Sequence, residues 1–292
     1  MMAPRHILLA LLCVLVWGGS FSVIRWGLRD LPPLAFASLR FGLVALLIPF
    51  VPRPTINWST IFLYGTGWGA VQFSGLFLAI HHGLPTSLSS VLAQSQVFFT
   101  LLFAVVFRLE RLCMRKVLSL GLAITGVSVI ASDQTSVVSS FAIALSLFGA
   151  SGWASGNIVV RMVAIDGQRS DSLTFIVWAS LIPAVVLAFM SAQFENHQTI
   201  FNLNPAAAFR AILALIYQSI GALLIGTLAW NRLLTHYPAS TVSPFSLLTP
   251  LIGLSIGYLL WGETLSTAAF VGSILLFLGL ISNLSIAKVQ SK

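Results

Sequence analysis

The chain has 292 residues, 58% of them hydrophobic and only 8% charged, with a mean hydropathy of +0.97. Soluble domains carry roughly a quarter charged residues, so this composition excludes a water-soluble globule, and no stretch is polar enough to form a domain outside a bilayer. The formal net charge is +8, but Lys and Arg are scattered singly between apolar runs, not gathered into a patch with interleaved aromatics; the expected partners are a lipid bilayer and a small molecule, not nucleic acid.

A helix needs about 20 apolar residues to cross a hydrocarbon core of roughly 30 Å. In chain order the apolar runs predict ten such spans, at 7–26, 34–51, 60–80, 86–107, 116–132, 139–160, 172–190, 208–230, 239–261 and 267–287. The first run begins like a signal peptide, but no small-residue cleavage site follows: Trp17-Gly18-Gly19-Ser20-Phe21 continues it, so it reads as an uncleaved first span. Connections are short and marked by Arg53, 108–116 and 165–171. With the N-terminus inside, eleven of the 15 Lys and Arg residues fall in inner loops and three, Arg25, Arg29 and Arg210, at outer ends. That bias places both termini in the cytoplasm.

The second half repeats the first. Trp17 and Arg25 recur as Trp153 and Arg161, an offset of 136. Pro85 through Glu110-Arg111-Leu112 recurs as Pro238 through Glu263-Thr264-Leu265, and Gly126 as Gly279, at 153; a longer connection at 191–205 accounts for the difference. The expected domains are therefore an N-terminal five-helix repeat, 1–136, and a C-terminal one, 137–292. Five is odd, so the copies insert upside down, and a substrate site lies between them near the midplane. The fold class expected is an all-α integral membrane protein of ten transmembrane helices in two inverted repeats.

Polar side chains in hydrocarbon need partners, which makes mid-span ones candidates for a pathway. Gln72, Gln94, Gln96, Asn157 and Gln218 qualify; amides suit a neutral or zwitterionic ligand, yet bonding between helices explains them as well. Trp17, Ser20, Phe21 and Ile24 share a helix face with Cys13, and Trp153 and Asn157 share one with Gly149, Gly156 and Val160. Aromatic faces with a few convergent polar groups suit an organic ligand; packing is the competing account. Trp26 and Trp58 sit near span ends as interface anchors, whereas Trp178 reads as lying well inside its span. Arg40, within the second span, either snorkels outward, pairs with a carbonyl or Asp30, or holds a substrate carboxylate. Pro244 and Pro250 bracket Phe245 and predict a bend or gate; Gly65, Gly67 and Gly69 predict close packing in the third span. Cys13 and Cys113 read as reduced thiols, and no metal-ligand spacing, cofactor motif or acid–base constellation occurs. No Asp or Glu lies mid-span, so if the chain is a carrier the expectation is facilitated, uncoupled movement; the competing expectation is proton coupling through a loop-end His such as His81.

Trp17-Gly18-Gly19-Ser20-Phe21-Ser22-Val23-Ile24-Arg25-Trp26-Gly27, Leu39-Arg40-Phe41, and the paired helix ends Leu109-Glu110-Arg111 and Trp261-Gly262-Glu263 resemble the EamA-type branch of the drug/metabolite transporter superfamily. The resemblance covers essentially the whole chain, although Trp153-Ala154-Ser155-Gly156-Asn157 lacks the Trp-Gly pair of the first half. It implies a carrier of the bacterial inner membrane, without cofactor or metal, monomeric or weakly dimeric, and not an enzyme. Within the superfamily the chain is most similar to exporters of aromatic amino acids. This implies transport of amino acids, with alternating access expected; the site expected from the residues themselves comprises Trp17, Ser20, Arg40, Gln72, Gln94, Trp153, Asn157, Gln218 and Phe245, gated at Pro244 and Pro250. Other amphipathic metabolites or drugs are the alternative cargo. A lipid-modifying enzyme and a helper subunit without a site of its own are alternatives of another kind.

Overall fold

In a computed structural model the described residues, 2–109, 114–132, 138–165, 171–237, 242, 245–246 and 248–290, are all-helical, with no strand among them. Each apolar run holds one helical segment: α1 (Pro4–Gly27), α2 (Pro33–Phe50), α3 (Trp58–Tyr64, Gly65–Val71 and Gln72–His81), α4 (Thr86–Val106) and α5 (Met114–Ala131). The second half holds α6 (Ser140–Ile165), α7 (Ser172–Phe194), α8 (Pro205–Ile216, Tyr217–Ile225 and Gly226–His236), α9 (Leu248–Trp261) and α10 (Thr267–Gln290). Six of them, α1, α2, α4, α6, α7 and α8, are long and apolar enough to cross a membrane. Shorter apolar stretches occupy α5, α9 and α10. The chain is thus a multi-pass membrane protein. Its exposed surface agrees, since Leu8, Leu63, Val185, Phe189 and Leu259 lie open where lipid tails would cover them.

Proline begins these helices more often than it breaks them. Pro4, Pro33 and Pro205 occupy first-turn positions, where a missing N–H costs nothing. Two polar caps add to this: the Asn204 side chain accepts from the Ala207 amide at 2.8 Å, and Asp171 from the Thr174 amide at 3.1 Å. The Asn204 cap starts α8 at Pro205, three residues before the apolar run suggests. Glycines with positive φ follow two helices, Gly83 after α3 and Gly262 after α9.

Packing pairs α5 with α10, α2 with α7, α3 with α6, α1 with α8 and α9, and α4 with α6 and α9. Small residues make the closest approaches. A Cβ on Gly126 would come within 2.6 Å of the Gly272 carbonyl oxygen, and one on Gly75 within 2.6 Å of the Gly149 nitrogen. Between α2, α3 and α7 a buried aromatic cluster of Phe36, Phe41, Phe73, Phe77 and Trp68 is built from edge contacts, with centroids 5.1–6.5 Å apart.

Three helices change their winding at mid-height. α3 opens into a π-helical stretch at Gly65–Val71 and α8 into another at Tyr217–Ile225, while α4 tightens into a 3₁₀ turn at Ala93–Ser95. Such departures shift side chains out of the regular helical stripe and frequently mark functional sites.

Candidate functional site

Where those three irregular turns face one another lies a cavity of about 640 Å³. Trp68 on the α3 turn, Ala93 and Gln94 on the α4 turn, and Ala222 and Leu223 on the α8 turn all line it. Trp17, Ser20, Phe21 and Ile24 of α1 and Gly149, Trp153, Asn157 and Val160 of α6 complete two further walls. The cavity extends toward the end of the bundle where α1 begins, reaching Ala104, Lys116, Val160 and Asn231. At the opposite end it stops at Ile24 and Leu76, short of the helix ends.

The polar lining is partly tied up. Asn157 Nδ2 donates to Gln96 Oε1 at 2.9 Å and to Thr100 Oγ1 at 3.1 Å, joining α6 to α4. Trp17 Nε1 donates to the Ala222 carbonyl at 3.0 Å, using an acceptor in the π-helical turn, and its ring meets Trp230 at 5.2 Å. Ser20 and Gln218 exchange two bonds: Ser20 Oγ donates to Gln218 Oε1 at 3.0 Å, and Gln218 Nε2 donates to the Ser20 carbonyl at 2.8 Å.

Arg40 is different. It is only 4% exposed, so it does not snorkel, and Asp30 is taken by Arg210 through bonds of 3.0 and 2.8 Å. The guanidinium lies 3.8 Å above the Phe73 ring and 5.4 Å from Phe41, and its Nε and Nη1 have no hydrogen-bond partner. An Arg in the membrane centre costs about 2.5–3.5 kcal/mol on insertion scales. Cation–π contact returns about 2 kcal/mol at a desolvated site, without satisfying the N–H donors.

The end opposite the cavity mouth is closed by carboxylates that cap other helices. Glu263, in the loop after α9, accepts from the Thr86 amide at 2.9 Å and the Ser87 amide at 2.8 Å, and from the Thr86 hydroxyl. These are orphan donors of the first turn of α4. Arg25 at the end of α1 pairs with the same carboxylate. Arg25 and Arg29 also lie over the Trp261 ring, at 4.5 and 4.8 Å. Burial pushes the Glu263 carboxyl up, but the Ser87 and Thr86 donors outweigh it and hold the group below its ordinary value. Glu195, after α7, does the same for α2, accepting from the Leu34 amide at 2.7 Å and the Ala35 amide at 2.9 Å.

Of the residues singled out from the sequence, Trp17, Ser20, Arg40, Gln72, Gln94, Trp153 and Asn157 line this one cavity. Gln218 stands behind the wall, wholly buried against Ser20. Phe245 packs with Ala10, Leu233 and Val242 and does not line the cavity, although its neighbour Ser246 does. Pro250 lies in the first turn of α9, its carbonyl 3.4 Å from Ser90 Oγ; Pro244 and Cys113 lie outside the described residues. Trp178 joins Trp58 near the helix ends and donates to the Pro52 carbonyl at 2.9 Å. Sequence reasoning passed over Tyr64, Trp68, Phe73 and Trp230, whose aromatic type carries no sign of which side faces a cavity. It also set Lys116 among loop residues, although the side chain is buried and lines the cavity.

Comparison with known proteins matches the EamA-like transporter family over residues 4–132 and 140–285, nearly the whole chain. The chain belongs to the EamA-like transporter family. It is a transporter, not an enzyme. Among curated relatives of this family member, a "Probable amino-acid metabolite efflux pump" of Escherichia coli (strain K12) is 35% identical over 285 residues, covering 97% of this chain and 95% of the relative. A protein of the same description from Salmonella typhimurium is 36% identical over the same shares. An "Uncharacterized transporter YvbV" of Bacillus subtilis is 26% identical, covering 99% of this chain and 93% of its own. A crystal structure aligns over 100% of both chains with a TM-score of 0.63 at 16% identity, a likeness of fold.

Proposed function

We propose that this EamA-family transporter exports amino acids, aromatic and other apolar ones included, from the cytoplasm across a bacterial inner membrane by alternating access. The observation that carries the reading is a cavity walled by Trp17, Tyr64, Trp68 and Trp153 with amides between them, reaching one end of the bundle and capped at the other. Aromatic walls accept an apolar side chain, and Gln72, Gln94 and Asn157 supply neutral polar contacts. The two relatives named as amino-acid metabolite efflux pumps support the substrate class and the direction.

In this reading all ten helices span, both termini are cytoplasmic, and 1–136 and 137–292 are inverted five-helix repeats. The packing supports it. Exchanging α1 with α6, α2 with α7, α3 with α8, α4 with α9 and α5 with α10 maps the α1–α9 pair onto α6–α4, and α3–α6 onto α8–α1. The state described is then inward-open, with Glu263, Arg25 and Glu195 closing the periplasmic end. Opening outward requires those contacts to part, while the π-helical turns of α3 and α8 and the start of α9 at Pro250 bend, with Pro244 and Pro250 as the proposed gate. Gln218 supports the site through Ser20. The working unit is a monomer or weak dimer, and substrate moves down its own gradient without proton coupling, a reading supported by a cavity lining that holds no carboxylate among the described residues.

Proteoliposomes loaded with labelled amino acids test this directly. Phenylalanine, leucine and their like are expected to leave faster than from empty-protein controls, at a rate indifferent to an imposed pH gradient. Release of no amino acid, with release of some other amphipathic metabolite or drug, overturns the substrate class. Accumulation against a gradient driven by pH, lost in His81→Ala, overturns uncoupled transport.

A further inference from the structure

We propose that Arg40 and Gln72 form a head-group subsite for a zwitterion, the guanidinium taking a substrate carboxylate and the Gln72 carbonyl oxygen its ammonium. The proposal rests on the amino-acid reading above and names, within it, the side chains that hold the part common to every such substrate.

Two residues that line one cavity carry buried, unsatisfied groups of opposite hydrogen-bonding character. Arg40 is 4% exposed and Gln72 7%, and both line the cavity. Arg40 Nε and Nη1 are donors without acceptors; Gln72 Oε1 is an acceptor without a donor. Arg40 stacks 3.8 Å above the ring of Phe73, the residue that follows Gln72 on α3. Buried polar groups are ordinarily paired, and an unpaired one points to a partner that arrives from outside.

Several of the other polar groups in the wall are already engaged. Asn157 is bonded to Gln96 and Thr100, Ser20 to Gln218, and Lys116, the other cation lining the cavity, has an interaction of its own. Ser146 and Thr249 also have unpartnered hydroxyls, but a hydroxyl donates or accepts at will and selects no charge. The pair Arg40 and Gln72 does select. A simple carboxylate leaves Gln72 Oε1 unpaired, a simple amine leaves the guanidinium unpaired, and an α-amino acid satisfies both. Guanidinium is suited to this duty because it stays charged when buried and offers several N–H groups in a plane. The aromatic rings of Tyr64, Trp68 and Trp153 line the space left for the side chain.

The test uses the full-length protein in nanodiscs and three probes of one shape: L-phenylalanine, phenethylamine, which lacks the carboxylate, and 3-phenylpropanoate, which lacks the ammonium. Ligand-induced thermal shifts are expected to give L-phenylalanine an affinity at least about tenfold above either analogue. Arg40→Met is expected to erase the margin over phenethylamine and keep that over 3-phenylpropanoate; Gln72→Leu is expected to do the reverse. Arg40→Lys, which retains the charge, is expected to restore part of the lost margin. Equal weakening of all three probes in Arg40→Met, or no margin in the unaltered protein, overturns the subsite while leaving the amino-acid reading in place. If the unaltered protein binds none of the three, the aromatic-amino-acid reading falls, and the subsite with it.

Discussion

Glu263 concentrates four donors from two other helices on one carboxylate, and this makes the closed end sensitive to acid. Two amides of α4, the Thr86 hydroxyl and the Arg25 guanidinium all favour its ionised form. A carboxylate at a helix N-terminus contributes about 0.3–1 kcal/mol when exposed and up to ~2 when partly buried. Its folded value lies below the ordinary 4.5, so the unfolded state binds the proton more tightly. The stabilisation is therefore complete above 4.5 and is lost as pH falls below it toward the folded value. Melting of the purified protein followed from pH 6 down to 3 is expected to show this loss. Glu263→Gln is expected to lower the melting temperature at pH 6 and to flatten the slope below 4.5. An unchanged slope would mean that other carboxylates govern the acid limb. Arg25 and Asp30 are each legible in the sequence as charges near a span end. Their partners are not, because Glu263 and Arg210 come from the other half of the chain.

Among the helices, contact distance between backbones separates glycines that look alike in sequence. Gly126 and Gly121 both lie in α5, five residues apart. A Cβ at Gly126 runs into backbone atoms of α10 at 2.6 and 3.0 Å, whereas one at Gly121 meets nothing within 4 Å. Backbone cannot rotate aside as a side chain does, so Gly126→Ala forces α5 and α10 apart, at about 1–3 kcal/mol. Gly121→Ala removes only the helix penalty of glycine and is expected to stabilise by about 0.5–1 kcal/mol. Opposite signs of the two melting shifts check the assignment; equal shifts would mean that α5 and α10 do not approach this closely. The glycines of α3 play a third part. Gly65, Gly67 and Gly69 fall inside the π-helical stretch and receive Ile182, Ser155 and Pro183 from the neighbouring helices α7 and α6. Close packing was readable there, but the widened winding was not, since it depends on what presses against each turn.

At the scale of the whole molecule, the cavity reaches a single end of the bundle, and the proposed orientation, which the charge bias supports, has that end meet the cytoplasm. In a background with Cys13 and Cys113 replaced by Ser, Asn231→Cys is expected to react with a membrane-impermeant thiol reagent from the cytoplasmic side, in inside-out vesicles. Intact right-side-out vesicles are expected to leave it unlabelled, with or without substrate. Rapid labelling from the outside at rest would reverse the orientation proposed here. A reporter fused after Lys292 supplies an independent check, with activity expected only for a cytoplasmic fusion.

What the amino-acid order determined by itself is whatever the solvent imposes locally. Twenty apolar residues in a bilayer have to be helical because every backbone N–H and C=O must be satisfied within the segment, so the helices, their approximate ends and the membrane class follow from runs of Leu, Val, Ala and Phe. Which residues face one another follows from no run. The faces of α1 and α6 that meet the cavity were readable from Trp17, Ser20, Trp153 and Asn157, because three- and four-residue spacing holds in any regular helix. Gln218 is equally polar and equally deep, and only the docking of α8 on α1 turns it onto Ser20 and out of the cavity. The same holds for the isolation of Arg40 and for Glu263 capping a helix 177 residues away in sequence. Lipid is as apolar as the helix surfaces it bathes, so burial alone does not choose partners. Small-residue fit and a handful of long-range polar contacts do, and they exist only once the helices have packed.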